Sequence, residues 1–225
     1  MSRTMFIRVF GPRTPKTLTP EERAGFLSPA LLLAFAAALY LSSIFLPYWS
    51  MTLKAPQYPN GLHVVAHINR LDGDVKEIDG LNHYIGMRPL GDAAQLERSL
   101  SIVMVGAVTL LVVGAVFVHS PFAALLTLPA ILFPIFFLLD LHFWLSAFGQ
   151  NLDPHAPLSH AVKPFTPPVL GMGTVGQFRT VASPGAGLIL AAVGSVLTLS
   201  GLFLQRMVYK SIRARLLRES EEIEA

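Results

Sequence analysis

The chain is 225 residues long, 52% hydrophobic and only 14% charged, with a mean hydropathy of +0.54. Those values exclude an ordinary soluble domain. The pI of about 9.4 is no mark of a nucleic-acid binder, because the basic residues flank apolar runs, where a membrane protein places them. No cysteine is present, which removes disulfides, thiolate metal sites and haem attached through C-x-x-C-H. Any bound metal must use His, Met, Asp, Glu or backbone groups.

Residues 1–26 form a basic N-terminal segment, and residues 27–49 are the first candidate span (LSPALLLAFAAALYLSSIFLP followed by Tyr48 and Trp49, read as an interfacial aromatic belt). The second span is expected over 100–118. A very short turn, His119-Ser120-Pro121, leads to the third over 121–148, and the fourth covers 186–208. At about 1.5 Å per residue each is long enough for a hydrocarbon core of about 30 Å. The first span is too long for a cleaved signal peptide and has Pro-Tyr-Trp where a small-residue cleavage site would stand.

Charge predicts the orientation. Arg3, Arg8, Arg13, Lys16 and Arg23 precede the first span, and Arg206, Lys210, Arg213, Arg215 and Arg218 follow the fourth. The positive-inside rule puts both termini in the cytoplasm. Residues 209–225 then read as a cytoplasmic amphipathic tail, and residues 50–99 and 149–185 as external loops. In the first loop, the β-favouring runs 62–69 and 75–79 around Leu71-Asp72-Gly73-Asp74 predict a β-hairpin. The second loop is rich in Pro and Gly, with few strand or helix signals. The expected fold class is an all-α membrane protein: four transmembrane helices, both termini cytoplasmic, a small β-hairpin in one external loop and a Pro/Gly-rich second external loop.

Asp140 and His142 lie inside the third span. Ionisable residues at that depth need a partner or a cavity and default to a functional reading. Two residues apart, they do not face each other on a regular helix; convergence requires the helix to fray near its external end. Pro129 and Pro134 free backbone carbonyls along it. Six of the seven histidines fall on the external side or its edge, and His119 alone lies at the opposite turn. His63 and His67 share a face if their segment is a strand. His83 and Met87 are four apart, which brings imidazole and thioether together on a helical turn, donors that suit copper. The plainer reading of each lone loop histidine is a polar surface residue, and of Asp140 a structural pair with His142 or Arg179. Gly171-Met172-Gly173-Thr174-Val175-Gly176 matches G-x-G-x-x-G but follows Pro167-Pro168 and opens no helix, so it carries no nucleotide signal. No nucleophile with a plausible base, P-loop or H-E-x-x-H motif is present, and no reaction type is indicated.

The segments Ala55-Pro56-Gln57-Tyr58-Pro59 with Gly61-Leu62, Leu81-Asn82-His83-Tyr84-Ile85-Gly86-Met87, Leu152-Asp153-Pro154 and Phe165-Thr166-Pro167 resemble uncharacterised bacterial inner-membrane proteins associated with the maturation of copper enzymes such as nitrous oxide reductase. The resemblance covers mainly the two external loops. It implies a multi-pass protein of the bacterial inner membrane that handles or delivers copper outside the cytoplasm, with His83 and Met87 as fitting donors. The expected copper set is His83, Met87, Asp140 and His142, with His63 and His67 as a second pair. The expected partners are the lipid bilayer and other membrane or periplasmic proteins, with no nucleic acid. The competing expectations are a non-catalytic structural or assembly subunit of a respiratory or copper-enzyme complex and, more weakly, a proton relay or permease component built on Asp140 and His142.

Overall fold

The computed structural model describes residues 3–12, 20–175 and 178–224. Six α-helices, α1 (Arg3–Val9), α2 (Pro20–Ser43), α3 (Val75–Ile85), α4 (Gln95–Ala115), α5 (Phe122–Gln150) and α6 (Ala186–Glu224), are interspersed with five strands, β1 (Trp49–Ala55), β2 (Tyr58–Ala66), β3 (Leu71–Gly73), β4 (Gly171–Val175) and β5 (Phe178–Pro184). Among the described residues four helical segments, Arg23–Ser43, Gln95–Ala115, Phe122–Gln150 and Ala186–Lys210, are long and apolar enough to cross a membrane.

The all-α expectation is corrected by the strands. They form one antiparallel sheet of order β3-β2-β1-β5-β4, drawn from both long loops. The expected hairpin is shifted: β2 does turn back antiparallel, but onto β3, with Val64 opposite Gly73, so the residues read as its turn are its second arm. A second hairpin joins β1 and β2 through Pro56-Gln57, with Met51 opposite Val64 and Thr52 opposite His63. The run 75–79 belongs to helix α3 instead. Val75, Ile78, Asn82 and Ile85 recur at helical spacing, and the turn that closes α3 puts Gly86 in the left-handed region at φ 80°. The second loop yields β4 and β5 from a segment whose glycines and prolines hide the alternation of Phe178, Thr180 and Ala182. Because β1 pairs with β5 over six positions, the loop after the first span and the loop before the fourth lie on the same side of any membrane that α4 and α5 cross.

The chain divides into two compact units. One comprises Met1–Leu41, Val105–Phe133 and Ala191–Ala225. Its interior polar groups bond backbone carbonyls where helices end or lack a donor. Tyr40 and Ser195 meet at Ala130, and Gln205 donates to the Ala115 carbonyl at the end of α4, 3.1 Å away. Gly194 lets α6 approach α2: a Cβ there would stand 3.2 Å from the Tyr40 ring. The segment after α1 docks on the α4–α5 turn, where the His119 N–H donates to Phe10 O and the His119 ring stacks on Tyr209 at 4.0 Å.

The other unit comprises Ser42–Met104 and Pro134–Leu190. It holds the sheet. Trp49, Met51, Leu53, Leu62, Val64, Ala66 and Ala182 project from one sheet face into a core that Ile78 of α3 and Leu145 of α5 complete, with Phe137 and Leu141 packed against it. Tyr48 and Trp49, expected as interfacial anchors, are instead 0% and 3% exposed. Tyr48 meets Ser43 through a hydroxyl pair at 2.6 Å, and the Trp49 indole N–H donates to Val169 O.

Candidate functional site

Strand alternation gives this sheet two unlike faces. The covered face is apolar. The other presents Ser50, Thr52 and Lys54 from β1, His63 and Val65 from β2, Met172 and Thr174 from β4, and Arg179, Val181 and Ser183 from β5. Lys54, His63, Met172, Thr174, Arg179 and Ser183 are exposed, while Ser50, Thr52, Val65 and Val181 are half-buried. Short polar pairs tie neighbouring strands across this face: Ser50 to Ser183 at 2.9 Å and Thr52 Oγ1 to His63 Nδ1 at 3.0 Å. At one end of the face the register sets Lys54 directly opposite Arg179.

The six residues singled out by sequence occupy separate surroundings. His63 lies on the open face, and its backbone N–H donates to Asp74 Oδ2 at 2.8 Å. His67 falls beyond the end of β2. Its side chain is 9% exposed, and its Nε2 stands 3.1 Å from Asp72 Oδ2, which Arg70 Nε also approaches at 3.0 Å. His83 is exposed on α3, its ring near Tyr84 at 6.1 Å, whereas Met87 is buried beneath the turn that Gly86 closes, its N–H donating to Asn82 O at 2.9 Å. The turn therefore separates imidazole from thioether.

Helix α5 runs unbroken to Gln150, so it does not fray at Asp140 and His142. Two residues at about 100° each put them roughly 200° apart around the axis. His142 is exposed; Asp140 is half-buried beside the stripe that packs on the sheet. The buried indole N–H of Trp144, one turn on, lies beside the Asp140 carboxylate without hydrogen-bond geometry. Among the described residues no ion pair joins Asp140 to His142 or Arg179, and no three His, Asp or Glu side chains come together as a metal-holding group.

The loop 151–168 is anchored rather than free. Asp153 N–H donates to Gly86 O at 2.8 Å, and Leu158 N–H to Tyr84 O at 2.8 Å. The backbone N–H of His155 donates to Asp153 Oδ1 at 2.9 Å, and that bond holds the Asp153 carboxyl below the usual carboxylate range, with the His155 ring adding to it.

Sequence reasoning missed the open face because it exists only once β1 and β5 pair across 120 or so intervening residues, a long-range contact that local pattern does not specify. The available signal was the period-2 alternation of residues 49–55 and 178–184. Comparison with known proteins found no matching family model, no similar curated protein and no similar solved structure.

Proposed function

We propose that the chain is a non-catalytic, membrane-embedded assembly subunit that holds a partner protein on the open face of its sheet. The observation that carries this reading is the β1–β5 pairing. It fuses two loops into one rigid surface, seals one face of that surface with α3 and the end of α5, and leaves the other uncovered. The uncovered face is mixed polar and apolar, as non-obligate protein interfaces are. The basic flanks before α2 and at the end of α6 support a cytoplasmic location for both termini and an extracytoplasmic one for the sheet, in a bacterial inner membrane. Copper handling, the activity drawn from the sequence resemblance, would on this arrangement recruit further donors from the partner, since the six expected residues are dispersed.

The absence of cysteine makes the test clean, because any introduced thiol is unique. Thr52→Cys on the open face should react with a membrane-impermeant maleimide in detergent-purified protein and be protected in native membranes. Met51→Cys, at a position 8% exposed, should stay unreactive in both. Equal reactivity of Thr52→Cys in the two preparations would end the docking reading.

A further inference from the structure

Resting on that docking reading, we infer that the partner presents an acidic protein segment to the end of the open face where Lys54 and Arg179 stand. Cross-strand neighbours have Cβ atoms about 4.5–5.5 Å apart, and like charges set directly opposite destabilise a sheet. Lys54 and Arg179 are such a pair. Among the described residues neither joins an ion pair; Arg179 Nη2 stands 3.2 Å from the Met172 sulfur. Strands β1, β4 and β5 carry no acidic residue to answer them, and the acids at β3 lie in other rows of the sheet and are engaged there. Asp72 takes His67 and Arg70, and Asp74 accepts the His63 N–H at 2.8 Å. The repulsion is therefore left open inside the chain, and an incoming carboxylate pair relieves it. A Lys–Arg pair on a rigid sheet is complementary to a pair of carboxylates spaced along an extended segment, with Arg179 offering a planar fork and Lys54 a point charge.

Geometry favours a protein over the chain's own lipids. Lys54 and Arg179 are held opposite each other by the strand register, a fixed spacing that suits carboxylates set along an extended peptide better than independently mobile headgroups.

The probe is a peptide of ten glutamates, with ten glutamines as control, added to the detergent-purified full chain carrying Thr52→Cys, the position two residues before Lys54. The glutamate peptide should slow maleimide labelling of that thiol, an effect abolished by high salt. Lys54→Gln with Arg179→Gln should weaken the slowing about tenfold. Lys54→Arg with Arg179→Lys should preserve it and shows that loss in the glutamine variant is not misfolding. Reading labelling at one thiol isolates this face from the basic tail of α6, which also attracts the peptide. Equal effects of the two peptides, or an unchanged effect in the glutamine variant, overturn the acidic partner. The docking reading fails separately, by the absence of Thr52→Cys protection in native membranes. Protection there that survives Lys54→Gln with Arg179→Gln keeps the docking surface and discards the acidic segment.

Discussion

The hydroxyl of Tyr40 donates to the carbonyl oxygen of Ala130, 2.9 Å away, and thereby fills a vacancy written into the sequence of α5. Residue 134 is proline and has no N–H to give the carbonyl four residues before it. In an apolar surrounding an unanswered carbonyl is costly. Tyr40 answers this one from α2, and Ser195 of α6 stands by at 3.3 Å while bonding the tyrosine oxygen at 2.9 Å.

Tyr40→Phe should therefore destabilise the protein by about 1–2 kcal/mol, read as a lowered unfolding temperature in mild detergent. The decisive comparison is with Pro134→Ala, which restores the missing N–H. In that background Tyr40→Phe should cost markedly less, because the carbonyl then has its helical partner. An equal cost in both backgrounds would show that Tyr40 acts by packing alone.

The two residues expected to act together at the end of α3 should behave oppositely. His83 is exposed and Met87 is 8% exposed. His83→Ala should change stability by no more than about 0.5 kcal/mol, whereas Met87→Ala, which opens a hole under the turn, should cost about 2–5 kcal/mol. Thermal melts of the two variants check this. A similar small shift for both would mean that Met87 does not support the packing of the turn.

The four long apolar helices were legible because length and hydropathy suffice to specify them, and so was the carbonyl that Pro134 frees. The sheet was only half legible. Residues 62–66 of β2 fall inside the expected run 62–69 though the strand starts earlier, at Tyr58, whereas β1 has no counterpart in the sequence reading, where Trp49 closes the first span and residue 50 opens the external loop. Residues 75–79 carry strand-like Val75 and Ile78, yet their helical spacing with Asn82 and Ile85 prevails once α3 packs on the sheet. The proposed donor set was drawn from residue type and needed α5 to fray at Asp140 and His142, and residue type does not say that the helix stays intact to Gln150. The opposition of Lys54 and Arg179 belongs to a register between distant segments, which no local pattern reveals.

Gly86 should prove the hinge on which the loop 151–168 is fixed. It takes φ 80°, and a Cβ built there would stand 2.6 Å from the Asp153 carbonyl oxygen and 2.7 Å from its N. Gly86→Ala combines a left-handed strain of about 1–3 kcal/mol with that clash, and the loop is the part free to yield. The Leu158 amide, which donates to Tyr84 O at 2.8 Å, should exchange its hydrogen faster, by roughly tenfold for each 1.4 kcal/mol lost. Amides of the Tyr40 region serve as the unaffected control. Uniform acceleration at both places would point to global destabilisation instead.

His119 should make the docking of residues 3–12 sensitive to acid. Burial is the main influence on its ring and pushes its pKa below the ordinary histidine value of 6.5, against the opposing pull of the backbone carbonyls of Pro12 and Val116. Its Nδ1 lies 3.0 Å from Pro12 O; a carbonyl only accepts, so the neutral ring carries its proton on Nδ1. A group whose folded pKa is depressed binds protons more readily once released. Its contribution is therefore complete above about 6.5 and declines as pH falls from there to the folded value, below which the loss levels off. Hydrogen exchange at the His119 amide, which donates to Phe10 O at 2.6 Å, should accelerate on acidification beyond the intrinsic pH dependence of exchange. His119→Phe, which keeps a flat ring over Tyr209, should remove that extra acceleration. A ring that titrates at or above 6.5 in the folded protein would refute the assignment.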